Sequence, residues 1–238
     1  INFGGLKNEV GAFANARYVI VNTCFLDTLD TANLCSGYAE MLKHSLISNA
    51  QMWAEHVNFD ILQPDLAELQ RMVAASIAVK EHIVADDPHE HGIRKALNFG
   101  HTIGHALEEF SMQQPGGAVV SARLLPLAKV RTAPKNTLLH GYAVAFGLIG
   151  ELYISARKAG FPTARLHQTA RFIRENYGAV AFTCDDYPTL LNLMRHDKKN
   201  TSDTINFTLL HDIGDIRINQ TATDEEIREA LDFIREGY

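Results

Sequence analysis

The stretch of residues 94–105, RKALNFGHTIGH, constrains the fold of this chain more than any other. Four polar residues recur along it at i, i+4, i+7 and i+11: Arg94, Asn98, His101 and His105. In a helix with about 3.6 residues per turn, this spacing places all four on one face. The two glycines of the stretch each lower helix stability by roughly 1 kcal/mol relative to alanine. The pattern predicts a helix at about 93–111, in which the two glycines lower stability but allow a ligand or another backbone to approach closely.

Two interpretations of this polar face remain open. Four convergent polar groups, two of them imidazoles, indicate a site for a metal ion and an oxygen-rich substrate. Alternatively, the face is solvated and its two histidines are incidental, because histidine pairs at i and i+4 are common. The stretch alone supports both interpretations equally, so any further ligands must come from other parts of the chain.

The composition limits the classes of protein to which the chain can belong. Its 238 residues suffice for one large domain or two small ones, and a hydrophobic content of 46% allows a packed core. The net charge of -6 argues against nucleic acid as the main partner. No apolar run approaches the roughly 20 residues that a membrane span needs, so we expect no membrane partner. Cys24, Cys35 and Cys184 cannot all pair with one another, which favours a reducing, cytoplasmic compartment.

Helical periodicity dominates the chain from about residue 31 onwards. Besides the central helix, it predicts helices at 31–48, 66–85, 138–159, 164–176 and 186–195, and a terminal helix that starts at the capping-box pattern of residues 223–226 and ends near 236. The β-branched run at 18–22 predicts a strand, and 205–210 with 215–218 predicts a hairpin. The predicted fold class is mainly α and multi-helical, with a short β segment at the N-terminus and a small β-hairpin near the C-terminus.

Residues 115–137 do not fit the helical pattern. They contain four cations, three prolines and no acidic residue, and loops of this length are uncommon inside a compact domain. We interpret them as an exposed insertion without chemistry of its own. The alternative is a mobile lid that attracts phosphate.

Three side chains outside the central stretch could complete a site. Glu40 and Lys43 share a helix face at i and i+3, which by itself favours an ordinary surface ion pair over a metal ligand beside a substrate-binding cation. His140 opens a predicted helix and is followed by glycine, so its side chain can face a cavity. Together with Glu40 and His101 it would make two histidines and one carboxylate, the set typical of catalytic zinc.

These pieces, in order along nearly the whole chain, resemble the 3-dehydroquinate synthase family. The most specific part of the resemblance is the Asn-x-Gly-His-x-x-Gly-His block at 98–105. The other matching segments are 5–13, 37–43, Lys80, 87–94, 97–106, 139–144 and 197–199.

The resemblance implies roles for individual residues. A divalent metal, Zn²⁺ or Co²⁺, would be held by Glu40, His101 and His140. Catalytic roles fall to Lys43, Asn98 and His105. Substrate-binding roles fall on a set of six residues: Lys7, Asn8, Lys80, Glu90, Arg94 and Lys198.

The resemblance also implies a reaction, which belongs to the shikimate pathway of aromatic amino acid biosynthesis. A seven-carbon keto-sugar acid phosphate, DAHP, is converted into 3-dehydroquinate and phosphate by a carbon–oxygen lyase that uses NAD⁺ catalytically. The partner would be this phosphorylated sugar acid, and the full-length protein would be a homodimer. Three alternatives remain: a related sugar-phosphate cyclase, a metal-dependent polyol dehydrogenase, or a truncated helical module without activity.

Three features depart from the family pattern. No G-x-G-x-x-G loop is found and the sequence starts at Ile1, so we predict a fragment: 1–30 a remnant of an N-terminal nucleotide-binding domain, 31–238 the helical metal- and substrate-binding domain. No NAD⁺-binding residue is assigned. Residues 115–137 exceed the usual length of the link between the two histidine ligands, and we hypothesise that they are not native to the family. Tyr142 stands where the family usually has glutamate.

Overall fold

The computed structural model describes residues 17–113 and 137–196, the backbone of 120–121, and residues 204–237. Its helices are α1 (Thr31–Ser48), α2 (Ala50–Val57), α3 (Leu66–Asp86), α4 (His101–Gln113), α5 (His140–Lys158), α6 (Thr163–Tyr177), α7 (Tyr187–His196) and α8 (Asp224–Glu236). Its strands are β1 (Val120–Ser121), β2 (Ala179–Val180), β3 (Asn206–Asp212) and β4 (Asp215–Thr221). Short 3-10 helices span Thr23–Thr28, Ile93–Asn98 and Cys184–Asp186.

The mainly helical fold class is confirmed. The strands β3 and β4 pair antiparallel as the predicted hairpin, while β1 and β2 form a second, very short antiparallel pair. The predicted helices agree with α1, α3, α5, α6, α7 and α8 to within two residues at each end. Within the described part of the chain, no helix is both long and apolar enough to cross a membrane.

Helix α5 forms the centre of the core. Of its 19 residues, 14 are buried, and it packs against α1, α4, α6, α8 and β3. A helix that is apolar on nearly all sides must be surrounded by other elements to be stable in water. The chain entering α4 contacts it at Gly147, where an added Cβ atom would lie 2.0 Å from the carbonyl oxygen of Gly100 and 2.8 Å from the backbone nitrogen of Gly104. The first turn of α4 is therefore in backbone contact with α5.

The predicted continuous helix at 93–111 is wrong. Residues Ile93–Asn98 form a 3-10 helix, Gly100 has a φ of +79°, and α4 begins only at His101. A residue in this left-handed region ends one helical segment and redirects the chain, and glycine tolerates it because it lacks Cβ. Arg94 and Asn98 therefore do not share a helix face with His101.

Two further elements differ from the sequence prediction. Residues 18–22 are exposed and form no strand in the described part of the chain. Helix α2 was not predicted. It follows α1 directly, because the single residue Asn49 ends α1 and caps α2, where its side chain accepts the Met52 N–H at 2.9 Å. Most of 115–137 lies outside the described residues, so its interpretation as an insertion stays a prediction.

Candidate metal and substrate site

Glu40, His101 and His140 come together from three different helices. The Oε1 atom of Glu40 lies 3.3 Å from Nε2 of His101 and 3.4 Å from Nε2 of His140. These side chains stand on α1, at the first residue of α4 and at the first residue of α5. Helices α4 and α5 are in backbone contact at Gly100–Gly147 and Gly104–Ala143, so that His140 at the start of α5 lies further along α4 than His101. One carboxylate oxygen thus faces two imidazole nitrogens at once.

The orientation of His101 indicates a cation at this point. Its Nδ1 lies 3.1 Å from the carbonyl oxygen of Phe99, which can only accept a hydrogen bond, so Nδ1 carries the hydrogen. Burial lowers the pKa of His101 to about 4, despite the neighbouring Glu40, and the ring is neutral at pH 7. Its Nε2 then presents a lone pair to the Glu40 carboxylate, which is also an acceptor. A metal ion between these atoms would satisfy both.

His140 is oriented in the same manner by a different acceptor. Its Nδ1 lies 3.0 Å from Oε2 of Glu108, and its Nε2 faces Glu40. The two carboxylates raise the pKa of His140 to about 9, Glu108 more strongly than Glu40. A divalent cation bound here would have to displace the proton from Nε2.

The Glu40 carboxylate is ionised in this environment. Burial alone would raise its pKa, but the adjacent imidazoles of His101 and His140 and the charge of Lys43 hold the pKa well below its usual range. Nζ of Lys43 lies 2.5 Å from Oε2 of Glu40, and only 4% of the Lys43 side chain is exposed. The ordinary surface ion pair that the spacing favoured is therefore wrong: Lys43 is buried, and the partly exposed Glu40 faces the two imidazoles of the site.

His105 brings a third imidazole to the same place. Its ring centroid is 5.2 Å from that of His101 and 5.8 Å from that of His140. One ring nitrogen from each of the three histidines lies within 4.8 Å of the others. Two ligand sets thus fit the distances: Glu40 with His101 and His140, or the three histidines.

Sequence reasoning missed two buried glutamates beside the site. Glu108 stands seven residues after His101 on α4, so the helical spacing could have revealed it. Glu151, on α5, is fully buried and accepts the backbone N–H groups of Gly100 at 2.7 Å, Thr102 at 2.9 Å and Ile103 at 3.2 Å. No local signal marks this contact, because about 50 residues separate the two partners.

The loop before α4 is organised by Asp87. Its carboxylate accepts the backbone N–H groups of His91 at 3.0 Å, Gly92 at 2.7 Å and Arg94 at 3.1 Å. The Arg94 guanidinium donates to the carbonyl oxygen of Pro88 at 2.6 Å. The loop therefore holds Arg94 in place through backbone contacts.

Glu90 and Asn98 meet on this loop. The Asn98 side chain donates to Oε1 of Glu90 at 2.8 Å, and Glu90 has a φ of +59°, which is uncommon for a residue other than glycine. Asn98, the last residue of the 3-10 helix, therefore contacts the loop and does not lie on the α4 face where it was expected.

The remaining substrate candidates are less well placed. Lys80 stands on α3, which packs against α1 and the Ile93–Asn98 helix. Its charge reaches His44 on α1: burial lowers the pKa of His44 to about 3, and the charges of Lys43 and Lys80 act in the same direction. Lys7, Asn8 and Lys198 lie outside the described residues, so their assignments stay predictions.

The sequence matches the family described as 3-dehydroquinate synthase C-terminal over residues 37–126 and 127–200. The chain belongs to this family. The 3-dehydroquinate synthase of Parabacteroides distasonis is 50% identical over 238 residues, which are all of this chain and 62% of that protein. The enzyme of the same name from Bacillus pumilus is 33% identical over 230 residues, 95% of this chain and 56% of that protein. The chain therefore spans about three fifths of the length of these relatives.

Solved structures share the fold of this dehydroquinate synthase family chain. A 2-deoxy-scyllo-inosose synthase complexed with carbaglucose-6-phosphate, NAD⁺ and Co²⁺ has a TM-score of 0.73 at 21% identity, over 100% of this chain and 61% of that chain. A 2-epi-5-epi-valiolone synthase from Streptomyces hygroscopicus subsp. jinggangensis, with NAD⁺ and Zn²⁺ bound, has a TM-score of 0.72 at 20% identity, over 97% and 59%. At this identity the likeness establishes the fold alone.

Proposed function

We propose that this chain is the metal- and substrate-binding part of a 3-dehydroquinate synthase. The full protein would be a carbon–oxygen lyase that converts DAHP into 3-dehydroquinate and phosphate. The observation that carries the proposal is the meeting of Glu40 Oε1 with Nε2 of both His101 and His140 in a chain of this family. Relatives named 3-dehydroquinate synthase, of which one is 50% identical, favour this function over a related sugar-phosphate cyclase.

The metal ligands in this proposal are Glu40, His101 and His140. Each imidazole has an acceptor at Nδ1 that directs Nε2 towards Glu40, and one carboxylate with two imidazoles leaves coordination positions open. Zn²⁺ and Co²⁺ both suit such ligands, and the two similar cyclase structures contain these ions. When bound, the ion would act as a Lewis acid towards substrate oxygens.

The proposed catalytic groups surround this point. His105 stands one turn after His101 with its ring beside both ligand histidines, where an imidazole could take up a hydroxyl proton. Lys43 is buried against Glu40 and supplies a positive charge on the other side of the carboxylate. Asn98 holds Glu90 and thereby the loop on which Arg94 is mounted.

The substrate carries a carboxylate and a phosphate, which require cations. Arg94 can clamp a carboxylate with two parallel hydrogen bonds, and lysines bind phosphate as point charges. In this proposal the cations are Arg94 and Lys80, joined by Lys7 and Lys198, while Asn8 and Glu90 contact substrate hydroxyl groups. NAD⁺ would be bound mainly by the part of the relatives that this chain does not span. The division of the chain near residue 30 belongs to the same proposal.

Zinc binding tests the ligand assignment directly. We expect Glu40→Ala, His101→Ala and His140→Ala each to lose stoichiometric zinc after dialysis, measured by atomic emission against protein concentration. His105→Ala should keep zinc, and His82→Ala, an exposed histidine on α3, serves as the matched control. Zinc loss in His105→Ala together with zinc retention in Glu40→Ala would replace the proposed set with the three histidines.

Turnover tests the reaction. The full-length protein, supplied with NAD⁺ and Zn²⁺, should release phosphate from DAHP, and His105→Ala should reduce the rate while retaining the metal. No phosphate release from DAHP by the zinc-loaded, folded protein would rule out the proposed activity. Release from another sugar phosphate instead would assign the chain to a related cyclase.

A further inference from the structure

Glu108 is a buried carboxylate that the proposed reaction leaves without a role. Only 8% of its side chain is exposed, and its Oε2 lies 3.0 Å from Nδ1 of His140. The Nδ1 atom is on the opposite side of the imidazole from Nε2, which faces Glu40. Because the ring of His140 stands between Glu108 and the proposed ion position, Glu108 is placed to act through His140 and not as a ligand.

His140 needs such a partner more than His101 does. The side chain of His140 is 42% exposed and belongs to the first residue of α5. The His101 side chain is only 11% exposed and faces a rigid carbonyl group, that of Phe99. Packing can hold His101 in place, whereas His140 depends on its hydrogen bond for orientation.

The turn of α4 that carries Glu108 also holds the start of α5. The Ser111 hydroxyl donates to the carbonyl oxygen of Glu108 at 2.6 Å and accepts the backbone N–H of Leu138 at 3.0 Å. The same turn thus fixes the backbone two residues before His140 and the imidazole of His140 itself. Two contacts therefore fix the position of Glu108 relative to His140: the Ser111 hydrogen bonds to the backbone before α5, and the hydrogen bond of Glu108 to the imidazole.

We infer that Glu108 is the positioning residue of the metal site, which accepts the Nδ1 hydrogen of His140 and directs Nε2 of that ring towards the ion. This inference rests on the proposed ligand set. A carboxylate at Nδ1 fixes the tautomer of a ligand histidine and strengthens the donor at Nε2. It also places a second negative charge, after that of Glu40, close to a divalent cation.

Neighbouring glutamates on α4 allow a matched experiment. Glu109 is exposed and follows Glu108 directly, so Glu109→Ala and Glu109→Gln make the same chemical changes outside the site. Two readouts should be measured on the purified chain: the Kd for Zn²⁺ by competition with a chromophoric chelator, and the visible absorption spectrum of the Co²⁺-substituted protein. Circular dichroism and Tm monitor folding in parallel.

The expected results distinguish a role of Glu108 in orienting His140 from a role only in the stability of the fold. Glu108→Ala should weaken Zn²⁺ binding by about 10–100-fold and change the Co²⁺ spectrum, because the geometry of one ligand is released. Glu108→Gln should lose less, since its amide oxygen can still accept the Nδ1 hydrogen but carries no charge. Both Glu109 variants should match the wild-type chain in Kd and spectrum.

The outcomes also separate this inference from the proposed function. Wild-type Kd and Co²⁺ spectrum in folded Glu108→Ala would overturn the role of Glu108 and leave the ligand set intact. If Glu108→Ala does not fold, Glu108→Leu, which fills most of the same space without an acceptor, takes its place, and wild-type values in folded Glu108→Leu would overturn the role equally. Failure of the wild-type chain to bind either ion would refute the ligand set, and this inference with it.

Discussion

The helices α4 and α8 begin in opposite ways. Helix α8 is capped by its own sequence: the Thr223 hydroxyl accepts the Glu226 N–H at 3.3 Å, and the Glu226 carboxylate accepts the Thr223 N–H at 2.7 Å. Helix α4 is capped from a distance, because three N–H groups at its start donate to the Glu151 carboxylate on α5. The first start is encoded within four residues, whereas the second exists only when two helices have packed together.

The two caps also differ in their surroundings. Glu151 is fully buried, and its carboxylate accepts three N–H groups at the positive end of the helix dipole. The cap of α8 lies at the surface, where water can replace any lost hydrogen bond. The difference in burial predicts a large difference in the free energy of unfolding when each cap is removed.

Removing the remote cap should have the largest effect. We expect Glu151→Ala to lower the free energy of unfolding by about 3–5 kcal/mol, since three buried donors lose a charged acceptor. Zinc affinity should fall as well, because His101 is in the turn that loses its cap. Urea denaturation followed by circular dichroism measures the first effect, and chelator competition the second. If Glu151→Ala lowered the free energy of unfolding less than Thr223→Ala does, the comparison of the two caps would be reversed.

Changing the glycine before α4 should come next. In Gly100→Ala the new Cβ would lie 2.7 Å from Cδ2 of the buried Leu148, and its backbone has a φ of +79°. Left-handed strain and overpacking together should cost about 2–4 kcal/mol. Gly37→Ala on α1 is the control: its Cβ meets nothing within 4 Å, so it should stabilise the chain by about 0.5–1 kcal/mol. Equal Tm values for the two variants would show that the α4 start is not constrained.

Acid should destabilise the chain through a buried histidine near the α4 start. Burial lowers the pKa of His44 to about 3 from an ordinary value of 6.5. The unfolded chain takes up this proton first, so the contribution of neutral His44 to stability is complete above pH 6.5 and is lost as the pH falls from 6.5 towards 3. One such group changes the free energy of unfolding by at most about 1.4 kcal/mol per pH unit.

Urea denaturation at several pH values between about 7.5 and 5 measures this slope. His44→Gln cannot titrate at this position and should give a flatter profile, although its Ser76 contact is altered. Thr223→Ala, which changes no titrating group, should keep the wild-type slope. Identical slopes in the wild-type chain and His44→Gln would assign the acid sensitivity to other groups.

Removing the local cap should have the smallest effect. We expect Thr223→Ala to lower the free energy of unfolding by about 1 kcal/mol, the usual cost of losing a threonine N-cap. Zinc affinity should be unchanged, because no residue of the proposed metal site stands on α8. Thr223→Ser keeps the hydroxyl and should restore most of the stability. A change in zinc affinity in Thr223→Ala would mean that α8 is coupled to the site.

The same contrast explains what the sequence could predict. Helix α8 and the β3–β4 hairpin follow from local signals, and the structure has both. At the break, the Gly100 N–H donates to Glu151, which no window around residue 100 contains. The periodicity of residues 93–111 was correct for α4 and misleading for the loop that precedes it.

The candidate site shows a similar division. Residue types and order brought Glu40, His101 and His140 into one hypothesis, and the structure places these side chains together. The burial of Lys43 could not be predicted, because spacing at i and i+3 does not reveal whether a helix face is covered. The role of Glu108 required the relative position of α4 and α5, which only the folded chain provides.

The backbone contact between Gly100 and Gly147 affects how this site can change during evolution. The separation of the helices that bear His101 and His140 is set there by main-chain atoms, since an added Cβ on Gly147 would lie 2.0 Å from the Gly100 carbonyl oxygen. Apolar residues elsewhere along α5 can be exchanged for others of similar volume without altering that separation. We therefore expect the spacing of the two histidines to constrain Gly100, Gly104 and Gly147, which carry no chemistry of their own, more than the apolar residues around them.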